Sequence, residues 1–167
     1  VTKIGSGAFA CCKSLKEINI PSSVTEIGGF CGCESLKEII IPGSVKKIGE
    51  YAFSSCSSLE KVVIQEGVKT IGERAFKSCK SLKEIIIPGS VTEIGRDVFN
   101  NCKSLQYENG FLIVSGILFD YHCKDENVVI PDSVTTVVSD AFSGCKSLKS
   151  VSIPGDVNIL IKKYKEF

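Results

Sequence analysis

The sequence predicts a repeat solenoid: a right-handed coil with a parallel β-sheet on one face, short extended pieces and 3₁₀ or single helical turns on the other, and one inserted β-hairpin. Three observations carry this. A phrase that opens Val1-Thr2-Lys3-Ile4-Gly5 restarts at Val24, Val45, Val68, Val91 and Val134, and a partial copy covers 157–167. The intervals are 23, 21, 23, 23, 43 and 23 residues; the second copy lacks two residues before Phe30 and the fifth carries about 20 extra. Within each copy the same slots recur. Phe9, Phe30, Phe53, Phe76, Phe99 and Phe142 fill one; Cys12, Cys33, Cys56, Cys79, Cys102 and Cys145 follow three residues later, and Leu15, Leu36, Leu59, Leu82, Leu105 and Leu148 three further on. Finally, one copy holds too few apolar side chains to offset the ordering of its own backbone, so only stacking, which covers both faces of each coil, makes it stable.

Each copy begins with Val-Thr-x-Ile-Gly, a short extended piece. Ala-Phe-x-x-Cys follows, too short for a helix and suited to a 3₁₀ or single helical turn. The residues after the Leu form a short strand, as in Glu38-Ile39-Ile40-Ile41. Pro42 closes that strand because it has no N–H with which to extend a ladder, and the Gly or Ser after such a proline turns the chain. Pro21, Pro88, Pro131 and Pro154 repeat the device, with Gln65 in its place in the third copy. The extra residues of the fifth copy, about 106–127, hold Phe111-Leu112-Ile113-Val114 and Ile117-Leu118-Phe119 around Ser115-Gly116, a tight-hairpin pattern. The hairpin reads either as an ornament of the solenoid or as a binding protrusion; strands so apolar favour the first. The whole chain, 1–167, is then one solenoid domain.

Composition narrows the function. The chain has 167 residues and a net charge of +1, too balanced for a general nucleic-acid binder, which needs surplus Lys and Arg to neutralise phosphates. With 43% apolar and 23% charged residues it is not disordered. No apolar run is long enough to span a membrane, so direct insertion is not expected, and no stretch reads as a signal peptide. The absence of methionine gives the expectation of a segment cut from a longer protein. Neither end shows a polar cap, which invites either further repeats in a parent chain or end-to-end self-association. Nine cysteines, an odd number, exclude full pairing within one chain.

The phrase Ile-Gly-x-x-Ala-Phe-x-x-Cys-x-Ser-Leu-x-x-Ile-x-Ile-Pro resembles the BspA-like, or Treponema-pallidum-type, leucine-rich repeat. Ile71-Gly72, Ala75-Phe76, Cys79, Leu82 and Ile85-Ile86-Ile87-Pro88 match it throughout, and the likeness runs from Val1 to about Asp156. Departures are local: Gly29 and Val98 replace the Ala before Phe, and Val137-Val138 replaces Ile-Gly. The resemblance implies a leucine-rich-repeat fold on a cell-surface or secreted protein, a role in adhesion to host or extracellular-matrix proteins, and a binding module without catalysis or cofactor.

The candidate sites agree with a binding role. The six in-register cysteines read as small apolar fillers of an interior slot; one ligand per coil lines sulfurs up instead of surrounding a metal. Cys11, Cys31 and Cys123 lie outside that register, as surface thiols or, for Cys11 and Cys31, a disulfide between adjacent copies. His122 sits beside Cys123 and near Asp120 and Asp125, the residue types of a nucleophile pair or a metal site, but strand neighbours point to opposite faces. The convergent groups that catalysis needs are absent, so no enzyme is expected. On the strands the Ile residues that alternate with inward ones face out. Ile40, Val63, Ile86 and Val129 line up as an apolar stripe between Asn19 and Ser152, and Glu38, Lys61 and Glu84 stand beside them. This set reads as a surface for a protein partner rimmed by charge, or as ordinary strand-forming residues on a solvated face. Lys16, Lys37, Lys83 and Lys149 form a basic row, and Lys13, Lys80, Lys103 and Lys146 another, a weaker case for anionic glycans. The expected function is a non-catalytic docking module; the alternative is a structural spacer or assembly stalk with no ligand of its own.

Overall fold

In the computed structural model, which describes residues 1–160, the chain divides into two compact units, Val1–Leu105 and Gln106–Phe167. In the first unit each Val-x-x-Ile phrase becomes a two-residue rung: β1 (Lys3–Ile4), β2 (Glu26–Ile27), β4 (Lys47–Ile48), β6 (Thr70–Ile71) and β8 (Glu93–Ile94). These rungs form a parallel ladder in the order β1-β2-β4-β6-β8, with Ile4, Ile27, Ile48, Ile71 and Ile94 in register. The segments after the Leu form a second parallel ladder from β3 (Glu38–Ile41), β5 (Lys61–Ile64) and β7 (Glu84–Ile86).

The Ala-Phe-x-x-Cys segment joins the two ladders by single turns. The Cys33 N–H donates to the Phe30 carbonyl at 3.2 Å and the Leu36 N–H to the Cys33 carbonyl at 3.2 Å, each an isolated turn. A residue in the left-handed region just before the Cys stops these turns from continuing as a helix: Ser55 (φ 60), Ser78 (φ 61) and Asn101 (φ 62). Among the described residues there is no helix. The same segment bonds to its neighbours along the stack, Phe53 N–H donating to the Ala75 carbonyl at 2.7 Å and Ser55 N–H to the Lys77 carbonyl at 2.7 Å. These bonds run toward the following coil, whereas the ladder bonds run back, as from Gly49 N–H to the Ile27 carbonyl at 2.7 Å.

The core lies between the ladders. Phe30, Phe53, Phe76, Leu36, Leu59 and Leu82 are all fully buried. Rings of Phe9, Phe30, Phe53, Phe76 and Phe99 stack with centroids 5.1, 5.2, 5.4 and 6.0 Å apart. Cys33, Cys56, Cys79 and Cys102 are buried and free, as expected of interior fillers, whereas Cys12, on the first copy, is exposed, which corrects its reading as a filler; the four buried thiols also work as donors. Each donates to the carbonyl of the Phe on the preceding coil, at 3.2, 3.1, 3.1 and 3.1 Å. Burial pushes the Cys56 thiol up to about 12, so it stays protonated and able to donate. Cys56→Ala should therefore cost about 1–2 kcal/mol, a weak hydrogen bond plus a sulfur-sized void. Urea midpoints measure this, with exposed Cys12→Ala near zero as the control.

In the second unit β9 (Phe111–Val114) and β10 (Ile117–Tyr121) form an antiparallel hairpin around Ser115-Gly116, as the sequence predicts. That hairpin is not an appendage. β10 also pairs in parallel with β12 (Thr136–Val138), which pairs with β14 (Asn158–Leu160), giving the order β14-β12-β10-β9. The Thr135 N–H donates to the Gly116 carbonyl at 2.8 Å, as the Thr25 N–H does to the Thr2 carbonyl. Gly116 thus holds the threonine slot of a coil only 19 residues long, where the corresponding separation is 21 or 23 in the first unit. Phe111, Leu112, Ile117, Leu118, Phe119 and Tyr121 are buried, so the segment 106–127 belongs to the core of the second unit and carries a rung. β11 (Asn127–Val129) and β13 (Ser150–Ser152) complete the unit as a two-stranded parallel sheet. Of the partial repeat at 157–167, the start forms β14 and the Lys-rich tail from 161 lies outside the described residues.

Candidate functional site

Alternation along β3, β5 and β7 turns Ile39, Val62 and Ile85 into the core and leaves two rows facing water. Glu38, Lys61 and Glu84 are register partners in one row; Ile40, Val63 and Ile86 are register partners in the other. Ile40 is 59% exposed, Ile86 46%, and Val63 is half-buried between them. At about 4.8 Å per rung this is an apolar strip roughly 10 Å long.

Its margin is charge-balanced. Lys61 Nζ lies 2.9 Å from Glu84 Oε1, and that hydrogen bond, reinforced by the Glu84 and Glu38 charges, holds the Lys61 ammonium above the usual lysine range. Next to this row Lys83 Nζ meets Glu60 Oε2 at 3.0 Å, which holds the Glu60 carboxyl below its usual range. Glu60 stands between Lys37 and Lys83 in the stack, its N–H donating to the Lys37 carbonyl and its carbonyl accepting from the Lys83 N–H. Lys149 pairs with Glu126 at 2.8 Å and Lys13 with Glu34 at 3.0 Å. Carboxylates thus interrupt the lysine rows expected from the sequence and pair with Lys13, Lys83 and Lys149, which weakens the case for anionic glycans.

The fourth residue of the expected stripe lies elsewhere. Val129, 72% exposed, is on β11 in the second unit, where its register partner is Ser152. The stripe within one sheet is therefore three rungs, Ile40, Val63 and Ile86.

The residues that might have suggested catalysis are committed to structure. Cys123 and Cys145 form a disulfide, Cα atoms 4.9 Å apart, which corrects both the reading of Cys123 as a surface thiol and that of Cys145 as an interior filler. The shortened coil is the reason: it carries Cys123 up against the Cys145 slot. Cys11 and Cys31 are free. The His122 ring stacks on Tyr107 with centroids 3.8 Å apart. Asp120 accepts from the Tyr107 hydroxyl at 2.5 Å, and Asp125 from the Tyr121 hydroxyl at 2.7 Å. Among the described residues no three His, Cys, Asp or Glu side chains are placed to hold a metal ion, and no helix is long and apolar enough to cross a membrane.

One cluster escaped sequence reasoning. Tyr51, Arg74 and Asp97 stand at one corner of successive coils, all in the left-handed region (φ 54, 53 and 54). Arg74 donates from Nε to Asp97 Oδ2 at 3.0 Å and from Nη1 to the Tyr51 hydroxyl at 2.7 Å, and pairs with Glu73 at 2.9 Å. Three different residue types hide the pattern when copies are read along the chain; reading the same slot down the copies exposes it. The cluster ties the corner together and leaves Arg74 engaged on three sides.

Parallel ladders stacked one coil apart around inward Phe and Leu residues define a leucine-rich-repeat solenoid. The chain belongs to the BspA type leucine-rich repeat family, whose repeat region matches residues 1–107 and 114–164 in six copies. It is similar in structure to a leucine-rich repeat protein of T. pallidum, with 30% identity and a TM-score of 0.65. It is also similar to one of Bacteroides ovatus, with 26% identity and a TM-score of 0.61. In both cases the likeness covers 95% of this chain, and the chain spans 66% of the other. No curated protein matches the sequence. Leucine-rich repeat proteins generally mediate protein–protein interaction, and the fold is typically non-catalytic.

Proposed function

We propose that the chain is a non-catalytic docking module of a surface-exposed repeat protein, and that it binds a protein partner on the outward side of β3, β5 and β7. The observation that carries this reading is the strip of Ile40, Val63 and Ile86 on the outward side of one parallel sheet, with the Lys61–Glu84 ion pair beside it. That ion pair is already formed, so covering the strip does not require those two charges to find new partners. Val129 offers a separate apolar contact on the second unit. Surface location, and a host or extracellular-matrix protein as the partner, follow the family's habit and are part of this proposal. So is the absence of catalysis, supported by the disulfide that removes Cys123 as a nucleophile.

Val63→Lys and Ile86→Lys test it. The first places a cation at the centre of the strip and the second at its end, and each should weaken partner capture, the Val63 change by about 30-fold or more, the loss of roughly 2 kcal/mol at a central contact. Because both side chains face water, stability should shift by less than about 1 kcal/mol. Capture of matrix or host-surface proteins by the wild type, compared with both variants, gives the readout. Undiminished capture by the variants would overturn the strip as the docking face; no capture by the wild type would leave the alternative, a spacer or assembly stalk with no ligand of its own.

A further inference from the structure

We propose that Cys11 and Cys33 are a thiol pair that low-molecular-weight disulfides oxidise to a second inter-coil disulfide, pinning the first coil to the second. The existing disulfide supplies the pattern. It joins Cys145, in the cysteine slot of its coil, to Cys123, two residues after Tyr121 on the preceding coil. Tyr121 holds the place of a slot phenylalanine: its ring packs on Phe142, and its carbonyl oxygen stands 4.0 Å from Cys145 Sγ. Cys11 likewise stands two residues after Phe9, whose ring packs on Phe30 and whose carbonyl accepts from Cys33 Sγ at 3.2 Å. Cys11 is thus to Cys33 what Cys123 is to Cys145. Both pairs are 22 residues apart, and Cys11 (φ 57) and Cys123 (φ 44) share the left-handed region.

The residue before the slot matches as well. Gly32 precedes Cys33 and Gly144 precedes Cys145, whereas Ser55, Ser78 and Asn101 precede Cys56, Cys79 and Cys102. A Cβ on Gly32 would lie 3.4 Å from Cys11 Sγ, so that sulfur already rests over the neighbour of Cys33, in space the glycine leaves open. One step of about 4.8 Å between coils and one residue of about 3.3 Å along the chain put the two Cα atoms roughly 6 Å apart, within the reach of a disulfide. The other buried thiols lack such a partner: two residues after Phe30, Phe53 and Phe76 stand Gly32, Ser55 and Ser78.

Cys11 is exposed and Cys33 buried, so Cys11 reacts first. Its thiolate attacks one sulfur of the small disulfide, and the other sulfur leaves as a thiolate that takes up a proton. Cys33 then gives its proton to solvent and attacks Cys11 Sγ, releasing the second small thiol. The two cysteines are oxidised and the small disulfide is reduced to two thiols. Cys33 loses its hydrogen bond to the Phe9 carbonyl in this step. The bridged Cys145 shows that outcome already, its sulfur 4.0 Å from the corresponding oxygen where the slot thiols keep 3.1–3.2 Å.

The experiment uses the whole chain, its Cys123–Cys145 bond intact, with oxidised glutathione as the probe, then an acid quench, alkylation of the unfolded chain and non-reducing peptide mapping. A Cys11–Cys33 linkage is the expected product: both cysteines lose alkylation together, while Cys56, Cys79 and Cys102 keep theirs. Three variants, each first checked for native circular dichroism, give an independent measure. Cys12→Ser and Cys31→Ser should leave the linkage in place, and Cys33→Ser should leave glutathione held on Cys11. Linkage of Cys11 to Cys31, linkage of Cys33 to Cys12, or a lasting glutathione adduct on wild-type Cys11 would overturn the proposal. So would full alkylation of Cys11 and Cys33 after hours in millimolar oxidised glutathione.

Discussion

Gly95→Ala should destabilise the first unit by about 3 kcal/mol, whereas Gly28→Ala should leave it unchanged or raise its stability by about 0.5 kcal/mol. Both glycines close an Ile-Gly pair, and the sequence treats them alike. The structure does not. A Cβ on Gly95 would lie 2.3 Å from the Glu73 nitrogen and 2.6 Å from the Gly72 carbonyl carbon, and one on Gly72 would lie 2.6 Å from the Glu50 nitrogen. These neighbours are backbone atoms held in a ladder, so no rotamer change relieves the clash. A Cβ on Gly28 would meet nothing nearer than 3.6 Å, and its φ is not positive, so alanine there only narrows the unfolded ensemble. Gly49, with its nearest contact at 3.2 Å, should fall between. Urea denaturation of the variants checks the order Gly28, Gly49, Gly72 and Gly95; equal costs would mean that the glycines serve the turn and not the spacing of coils.

That contrast marks where the sequence is readable. Period and slot were legible because stacking makes every copy solve the same problem: Phe53 and Leu59 must be buried wherever a coil lies on each side, and Ile40 must face out where Ile39 faces in. What a slot does against its neighbour was less legible. A repeated Cys looks like a small apolar residue, and its S–H donation to a carbonyl on the previous coil appears only when the coils are placed together. The segment 106–127 reads as added residues because it breaks the phrase. Yet Val128-Val129-Ile130-Pro131 already matches the end of a coil, and counting back from it leaves room for a short one. The missed disulfide follows from that short coil, since only its loss of length carries Cys123 to the Cys145 slot.

The docking strip shows the same limit. Ile40, Val63, Ile86 and Val129 share a slot in the phrase, but slots become neighbours only where successive strands pair. β3, β5 and β7 pair in one sheet, and β11 pairs with β13 in another. Similarly, the lysine rows look uniform when only lysine-bearing copies are read; Glu60 and Glu126 fill the same slot in the others and pair with Lys83 and Lys149. The face that results is apolar at its centre and neutral at its edge, which suits recognition by shape more than by long-range attraction. Partner capture should therefore depend only weakly on ionic strength.

Phe53→Ala should be the most damaging single truncation in the chain, costing about 4 kcal/mol. The ring is fully buried and lies between two others, with centroids 5.2 Å from Phe30 and 5.4 Å from Phe76 and interplanar angles of 3° and 5°. Removing it empties a large volume, and the stacked backbones on either side prevent the walls from closing in. It also takes away two ring contacts, each worth roughly 0.5–1.5 kcal/mol beyond burial. In a solenoid each coil is stabilised by its neighbours, so a void in the third coil weakens the second and fourth as well. Unfolding of the variant should then broaden or split in urea, with coils on the two sides of the void melting separately. Phe142→Ala provides the comparison. Its ring is half-buried and tilted 51° against Tyr121, and its loss should cost about 1–2 kcal/mol. Phe53→Leu should recover about half of the Phe53→Ala loss, since it restores volume but not the stack. If the two alanine variants unfolded at the same urea concentration, the ring column would be filler and not the axis along which the coils hold one another.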